Sequence, residues 1–404
     1  MEPKLTITRR TIAIASISVI LITVLVLAFV SFALSDNRNN HNNDSDVSDS
    51  ISHESSDVTI VPIDDSSDEV SDESDDVSSV FAQSDDGSTD SNDDELFHGW
   101  IINEYGYTYV YDGCGYEQFN YKSSAMDRYI DSFDDLVDIL PEKTRIFNII
   151  VPVSSTFASI PREIYTSDNF YNQSQSAFST TVASKNNARI IDIPIVNLLE
   201  AQYDAGEYVY FKTDKNWTSL GAYNAYRVFC EMAQIDSYPL VNYPKKNHGD
   251  FLGSFYNATQ LSEMYESPDT FISYSTLPSV KTSLTVYDGG MIYSDYKLCD
   301  NNINLYNGYN VYLGRSASRY EINTTSKGGS LLIIGDTSAH PIIPFFATHY
   351  SKIDVIDPRK FNEDLCEFLS VREYDDCITM CYSTNAVSGE YIPAFNNIIG
   401  DSNG

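Results

Sequence analysis

The sequence predicts a three-layer α/β/α domain with a mainly parallel sheet over residues 98–404. Three observations support this fold class. Strand-like and helix-like segments alternate along the chain, one strand-like segment is apolar on both faces, and polar residues directly follow two strands. Strands buried on both faces are typical of parallel sheets covered by helices. Ligands of such sheets bind beyond the carboxyl ends of the strands, so the pattern also indicates where a site would lie.

The first helix and the first buried strand give the clearest signals. Residues 125–140 repeat apolar side chains at helical spacing, namely Met126, Ile130, Phe133, Val137 and Leu140. Pro141 then ends the helix, because proline cannot continue the hydrogen-bond ladder. Residues 145–153 (RIFNIIVPV) are almost continuously apolar, as expected for a parallel strand covered on both faces.

The remaining predicted elements follow the same alternation. Helices are expected over 174–184 and 222–233. Strands are expected over 108–111, 189–195, 282–287, 311–313, 330–334, 352–357 and 375–382. Residues 238–300 are rich in Pro, Tyr, Ser and Asp, and the segment 238–327 is predicted to be an irregular insertion that covers the site with a few antiparallel strands.

The N-terminal part predicts a membrane anchor. Residues 1–10 form a basic tail, and residues 11–34 are uncharged and mostly Ile, Val, Leu and Ala. At about 1.5 Å per residue this run can cross a bilayer, which predicts a single-pass signal anchor with the tail in the cytoplasm and the rest outside. Cleavage as a secretory signal stays open as an alternative, although residues 31–33 are a poor cleavage sequence.

Residues 35–97 predict a disordered linker. They contain 20 Asp and Glu residues against one Arg, a net charge of −19, and almost no aromatic side chains. Such a segment cannot bury enough apolar surface to offset the entropy of ordering, and its charges repel one another. We therefore expect an extracellular domain that is held at the cell membrane by an acidic tether.

The composition argues against some partners and cofactors. The formal net charge of −33 leaves little basic surface to neutralise phosphates, so we do not expect nucleic acid as a partner. The six cysteines contain no CxxC pair, and no histidine near Cys377 and Cys381 completes a zinc set. We expect no metal and no other cofactor. The cysteines are expected to be buried free thiols, with oxidation of some of them in an exported chain left open as an alternative.

The most informative stretch is 211–226, FKTDKNWTSLGAYNAY. Asp214 and Asn216 flank one residue, so in an extended segment their side chains point to the same side. Thr218 or Ser219 can cap the following helix by accepting hydrogen bonds from its free N–H groups. The pattern fits one edge of a catalytic or binding site. It also fits a loop in which Asp and Asn only stabilise turns.

Two other predicted strands end in polar residues. Ser154 and Ser155 lie just past the strand 145–153, where open α/β sheets place ligands. After the strand 330–334, Gly335 and Asp336 form a turn and Thr337 opens the next element. A strand, a tight turn and then a hydroxyl residue is an arrangement that exposes a nucleophile at the top of a sheet.

The stretch 211–226 resembles the signature of the DHHW family, membrane-linked bacterial proteins related to the SGNH-hydrolase-like alginate O-acetyltransferases. The family motif reads Asp-His-His-Trp-Thr and continues into a Gly-Ala-Tyr helix start. The positions that match it are Asp214, Trp217, Thr218, Gly221, Ala222 and Tyr223. Lys215 and Asn216 replace the two histidines, and Thr337 stands where the related family has Ser.

This resemblance implies an SGNH-hydrolase-like fold and the place of an acyl-transfer site. In the related O-acetyltransferases a Ser attacks the acyl group, a His takes its proton, and an Asp orients the His. These roles fall on Thr337, Asn216 and Asp214. Asn has no titratable nitrogen and cannot act as a general base. His340, three residues after Thr337 on the same helical face, or His248 could substitute for it.

Three hypotheses about function remain open. In the first, the domain is a degenerate SGNH-like protein that binds cell-surface polysaccharide or assists the acyl-transfer machinery. In the second, it is an active carbohydrate O-acetyltransferase or acetylesterase with Thr337 as nucleophile. In the third, it is a structural surface domain without a ligand. For a binding site the candidates are Trp217, Asp336, Ser154 and Ser155, with Trp217 either stacking on a sugar or filling the core.

Overall fold

The computed structural model describes residues 96–104, 106–163 and 170–400, which belong to one compact unit, Thr89–Gly404. The predicted anchor and all but the last two residues of the predicted linker lie outside the described residues. Within the described part of the chain, no helix has the length and apolar character needed to cross a bilayer.

The described elements alternate between strands and helices. The strands are β1 (Gly99–Asn103), β2 (Gly106–Tyr111), β3 (Cys114–Tyr116), β4 (Arg145–Val151), β5 (Ile190–Asp192), β6 (Lys245–Phe251), β7 (Asp269–Tyr274), β8 (Thr282–Asp288), β9 (Met291–Tyr293), β10 (Arg319–Thr324), β11 (Ser330–Gly335), β12 (Lys352–Ile356) and β13 (Asp376–Tyr382). The α-helices are α1 (Ser123–Ile139), α2 (Gln175–Lys185), α3 (Val196–Asp204), α4 (Ser219–Ala233), α5 (Ser254–Thr259), α6 (Ser262–Glu266), α7 (Ile343–Phe346), α8 (Leu365–Ser370), α9 (Ser383–Ala386) and α10 (Tyr391–Ile399). Short 3-10 helices span Ser154–Thr156, Leu240–Asn242, Gly308–Val311 and Thr337–Ile342.

The main sheet has eight strands in the spatial order β5-β4-β13-β11-β12-β10-β8-β9. The first five strands pair in parallel, whereas β10, β8 and β9 add an antiparallel extension at one side. The predicted α/β class with a large, mostly parallel sheet is confirmed. A three-stranded sheet β1-β2-β3 and the ribbon β6-β7 are separate antiparallel units.

Helices cover both faces of the main sheet, as successive residues of β4 show. The Phe147 ring packs against Phe229 of α4, with the ring centroids 4.9 Å apart. The next residue, Asn148, accepts a hydrogen bond from the Tyr129 hydroxyl of α1 at 2.9 Å. Successive side chains of a strand point to opposite faces, so α1 and α4 lie on opposite sides of the sheet.

The segment 238–327 differs in two ways from the irregular insertion that its composition predicts. Its strands β8, β9 and β10 join the main sheet through antiparallel pairing to β12. The strand predicted over 311–313 is wrong, because the 3-10 helix Gly308–Val311 occupies its start and Leu313 has a φ of 58°. A positive φ is incompatible with an extended strand.

All six cysteines are free in the structure. Four of them are buried, Cys114 is half-buried and Cys366 is exposed. Burial raises the pKa of the Cys230 thiol to about 12, so this side chain behaves as a small apolar group and not as a nucleophile.

Candidate functional site

The helix α4 begins where the sequence predicted and fixes one wall of the site. The Thr218 hydroxyl accepts hydrogen bonds from the N–H groups of Leu220 at 3.2 Å and Gly221 at 3.3 Å, so Thr218 is the N-cap. A Cβ atom at Gly221 would lie 2.7 Å from the carbonyl oxygen of Val209. Glycine therefore lets the start of the helix approach the chain that leads into the motif.

A buried carboxylate holds the chain just before the motif. Asp269, at the start of β7, is 1% exposed. It accepts hydrogen bonds from the backbone N–H groups of Lys212 at 3.0 Å and Thr213 at 2.8 Å, and from the Thr213 hydroxyl at 2.5 Å. The Tyr208 hydroxyl is a fourth donor. The ribbon β6-β7 thereby anchors the segment that carries Asp214.

Asp214 and Asn216 form the pair that the family motif predicts for Asp and His. Asp214 Oδ1 accepts hydrogen bonds from the Asn216 backbone N–H at 2.8 Å and from Asn216 Nδ2 at 2.6 Å. Asp214 Oδ2 accepts from the Ser254 N–H at 2.7 Å. Asn216 is 8% exposed, and its Oδ1 has no hydrogen-bond partner among the described residues. The amide is thus oriented by Asp214, with an unused acceptor on its other side.

The second wall of the site is the turn after β11. Asp336 caps the 3-10 helix Thr337–Ile342, since its Oδ1 accepts from the Ser338 N–H at 2.8 Å. Its Oδ2 accepts from the Tyr382 N–H at 2.9 Å and from Asn385 Nδ2 at 2.6 Å. Thr337 is half-buried, and its hydroxyl makes no hydrogen bond within the part of the chain that the structure describes. Asp336 therefore acts as a structural cap that presents Thr337.

Trp217 joins the two walls. Its indole Nε1 donates to the carbonyl oxygen of Ser338 at 3.0 Å, and its backbone N–H donates to the Tyr382 hydroxyl at 3.1 Å. Because Trp217 follows Asn216 and Ser338 follows Thr337, this hydrogen bond brings the two site segments together. Trp217 is 0% exposed, which fits the alternative that it fills the core and not the alternative that it stacks on a sugar ring. It fills the core beside α4, where its ring is inaccessible to a ligand.

Ser154 and Ser155 lie at the same edge of the sheet. They begin the 3-10 helix after β4, which pairs with β13, and both are buried at 4% exposure. Ser155 Oγ has no hydrogen-bond partner within the described ranges. Neither serine contacts Thr337 through a hydrogen bond, so the structure places them near the site edge without joining them to the Asp214 pair.

His340 does not occupy the position of the missing base. In a 3-10 helix residues i and i+3 align, so His340 and Thr337 share a face as the sequence indicated. The His340 ring, however, is buried and packs against Tyr320 of β10 at 5.6 Å, and the described residues form no hydrogen bond between it and Thr337. Burial lowers the pKa of His340 to about 4, with Asp357 opposing this shift. A ring of that pKa is a weak proton acceptor at neutral pH.

His248 is also committed elsewhere. It lies on β6, and its Nε2 forms a 2.8 Å hydrogen bond with the hydroxyl of Ser273 on β7. Burial lowers its pKa, the charge of Lys246 adds to this effect, and Asp300 opposes it. Its partners belong to the ribbon β6-β7, and among the described contacts it has none with Thr337 or Asn216.

One acidic residue at the site has no counterpart in the sequence predictions. Glu117 directly follows β3, which is tied to the motif by a 2.9 Å hydrogen bond from the Gly115 N–H to the carbonyl oxygen of Lys212. Burial raises the pKa of Glu117. Lys215 opposes the shift, whereas the charges of Asp214 and Asp336 add to it. A lone Glu after a three-residue strand carries no sequence pattern that could have identified it.

The comparisons with known proteins agree with this fold. The family described as DHHW protein matches residues 29–356. The crystal structure of a DHHW family protein from Eubacterium siraeum is 24% identical, with a TM-score of 0.64 over 74% of this chain and 97% of that one. Bacillus cereus PatB1 with a sulfonyl adduct is 15% identical, with a TM-score of 0.56 over 70% of this chain and 98% of that one.

A weaker likeness extends to the O-acetyltransferase domain of Pseudomonas putida AlgJ. It is 11% identical, with a TM-score of 0.40 over 74% of this chain and 99% of that one. A comparison with curated proteins gives no match. At these identities the solved structures show the fold alone.

Proposed function

Because the chain belongs to the DHHW protein family, we propose that its domain keeps the arrangement of an acyl-transfer site but binds a cell-surface polysaccharide without acylating it. The proposal includes the predicted extracellular position on an N-terminal anchor, which would bring the domain to such a polymer. The fold supports the comparison with acyltransferase-like proteins, and the side chains of the site support the loss of acyl-transfer activity.

The observation that carries the proposal is the hydrogen bonding of Asn216. In the family motif this position is a His that accepts a proton while an Asp orients it. Here Asp214 still orients the side chain at position 216, since Asp214 Oδ1 accepts from both its backbone N–H and its Nδ2. The group on the other side of that amide is a carbonyl oxygen. It can accept a hydrogen bond from a hydroxyl group, but it cannot take up a proton at neutral pH.

Thr337 lacks an activating base as a consequence. A hydroxyl nucleophile needs an adjacent base, and the described residues place no histidine in hydrogen-bond contact with Thr337. Losing the base of a hydroxyl–His pair removes several orders of magnitude of rate. What remains is a pair of polar groups, the half-buried Thr337 hydroxyl and Asn216 Oδ1. Asn216 Oδ1 is an acceptor without a partner among the described residues, and it can accept a hydrogen bond from a hydroxyl group of a sugar.

An active O-acetyltransferase or acetylesterase is the second candidate. It is favoured by Thr337, whose unbonded hydroxyl lies at the carboxyl end of a parallel strand. In that case Thr337 would attack the acyl carbonyl and a group outside the family motif would take its proton.

Reversion of the two departures from the family pattern tests the proposal. Full-length wild type, Asn216→His, Thr337→Ser and the double variant are assayed for acetate release from an activated acetyl ester and from an acetylated oligosaccharide. We expect no turnover by wild type and at least about 100-fold more turnover by the double variant, because a positioned base contributes about that much or more. Each single variant serves as the matched control and should stay near the wild-type rate.

The result that contradicts the proposal is turnover by wild type that Thr337→Ala abolishes. The domain would then be an enzyme with Thr337 as its nucleophile. A silent double variant that still folds would show instead that the inherited geometry is incomplete.

A further inference from the structure

Three tyrosine rings form an exposed cluster beside the motif. They belong to Tyr256 of α5, Tyr265 of α6 and Tyr306, and we call them the tyrosine cluster. The centroid of the Tyr256 ring lies 6.1 Å from that of Tyr265 and 6.3 Å from that of Tyr306, and the planes of the Tyr256 and Tyr306 rings differ by only 11°. Tyr265 is 57% exposed, Tyr306 is 49% exposed and Tyr256 is half-buried. Contiguous apolar surface of this kind indicates a binding surface more often than single exposed side chains do.

The helix that carries Tyr256 is fixed to the motif by hydrogen bonds. The Tyr256 N–H donates to the carbonyl oxygen of Thr213 at 3.2 Å. The Ser254 N–H, in the same helix, donates to Asp214 Oδ2 at 2.7 Å, while Asp214 Oδ1 accepts from Asn216 Nδ2 at 2.6 Å. One carboxylate therefore links the helix of the tyrosine cluster to the amide whose Oδ1 is without a partner among the described residues.

The segment that carries Tyr306 is fixed to the motif as well. It leads into the 3-10 helix Gly308–Val311, and the Tyr309 hydroxyl of that helix donates a hydrogen bond to the carbonyl oxygen of Trp217. Trp217 directly follows Asn216 in the chain. The tyrosine cluster is thus built from segments that are hydrogen-bonded to residues within two positions of Asn216. Such anchoring lets the rings bind a ligand without first being ordered, which lowers the entropy cost of binding.

The size and charge of this surface favour a sugar as its ligand. At about 200 Å² of surface per tyrosine side chain, the exposed fractions of the three rings leave about 300 Å² open to solvent. A stable protein interface needs about 800 Å² on each partner, so the tyrosine cluster is too small for one. Nucleic acid bases also stack on aromatic rings, but the net charge of −33 repels phosphates. A pyranose ring can pack its C–H bonds on a tyrosine ring while the hydroxyl groups of both stay in water.

We propose that the tyrosine cluster is a second subsite for the polysaccharide, on which one pyranose ring stacks while another sugar of the same polymer donates a hydroxyl group to Asn216 Oδ1. This inference rests on the proposed function, since it extends the degenerate site along the polymer. It also names the class of polymer, because the sugar must present a face of C–H bonds to the rings. Pyranoses with equatorial substituents, such as glucose and N-acetylglucosamine, present such a face.

The experiment measures binding of two oligosaccharides, the β-1,4-linked hexamers of glucose and of N-acetylglucosamine, to the full-length protein by isothermal titration calorimetry. We expect wild type to bind at least one of them and Tyr306→Ala to bind it about 10-fold more weakly, the size of one aromatic stacking contact. Tyr306→Phe keeps the ring and should bind as tightly as wild type, which separates stacking from a hydrogen bond of the Tyr306 hydroxyl.

Tyr238→Ala is the matched control. Tyr238 is 41% exposed, and it follows the far end of α4, whose 15 residues place it about 22 Å from the motif. Its loss removes a similarly exposed ring and should leave binding unchanged.

Three results overturn the inference. They are equal affinity of wild type and Tyr306→Ala, a loss in Tyr306→Phe as large as that in Tyr306→Ala, and an equal loss in Tyr238→Ala. Binding by wild type that survives in Tyr306→Ala would still support the proposed function without this subsite. Binding of neither hexamer by wild type also overturns the inference, whereas the reversion assay tests the function separately.

Discussion

Replacing Asp269 by Ala tests whether the ribbon β6-β7 holds the site segment in place. Asp269 accepts four hydrogen bonds, two of them from Thr213, which is 0% exposed. In Asp269→Ala the Thr213 N–H and hydroxyl have no access to water, and each unsatisfied buried donor costs about 1–3 kcal/mol. The Lys212 N–H and the Tyr208 hydroxyl lie in partly exposed residues and can bond to water.

The expected loss in free energy of unfolding is therefore about 4 kcal/mol, from two donors at about 2 kcal/mol each. For a domain of this size that corresponds to a fall in Tm of about 8 °C. Urea unfolding of the full-length protein measures the loss, with tryptophan fluorescence as the signal, since Trp217 is fully buried beside the affected segment. In the Asn216→His, Thr337→Ser background, the same substitution should also abolish the regained acetate release.

Asp250→Ala is the matched control, because Asp250 is an exposed carboxylate on the neighbouring strand of the same ribbon. Its effect should stay within about 0.5 kcal/mol, as for most surface substitutions. A loss below about 1 kcal/mol for Asp269→Ala, or one equal to that of Asp250→Ala, would refute the view that Asp269 anchors the site.

Three further substitutions test other parts of the account. Burial lowers the pKa of His340 to about 4 against 6.5 in the unfolded chain, so the stability present above pH 6.5 should fall by about 3 kcal/mol on acidification to pH 4. In His340→Phe the stability, measured as the urea midpoint between pH 6.5 and pH 4, should depend less on pH. An unchanged pH profile would contradict the view that His340 causes this dependence. Thr218→Ala should cost about 1 kcal/mol of unfolding free energy through loss of the helix cap, with Thr218→Ser restoring most of it. Gly253→Ala places a Cβ atom 2.1 Å from that of Asp214. The substitution should therefore lower the free energy of unfolding by about 1–3 kcal/mol and block acetate release by the Asn216→His, Thr337→Ser double variant. Full activity of that variant with Gly253→Ala would show that Asp214 can shift freely.

Local patterns in the sequence were enough to predict several elements of this fold. The helix α4, its cap at Thr218 and the apolar strand β4 each follow from periodicity or capping within one segment. The motif and the turn at Asp336 were also identified, because each carries its own pattern of residues. Their meeting through Trp217 and Ser338 was not predictable in this way, because the motif follows α3 and not a strand of the main sheet.

Features that depend on distant pairing could not be predicted in this way. Trp217 could have stacked on a ligand or filled the core, and only the packing around α4 decides between them. The pairing of β10 with β12 joins segments whose sequences do not indicate each other. Glu117 lies near the motif because β3 is hydrogen-bonded to Lys212, and this contact between distant segments leaves no local signal.

The claim that an acyl-transfer site has lost its base is tested most directly by covalent labelling. A sulfonyl fluoride reacts far faster with an activated hydroxyl than with an ordinary serine or threonine, and intact-mass spectrometry detects the adduct without assuming a substrate. The account predicts no adduct on the wild-type protein and a single adduct at position 337 in the Asn216→His, Thr337→Ser double variant. An adduct on Thr337 of the wild-type protein would contradict it, because Thr337 would then be activated by a base that the present account lacks.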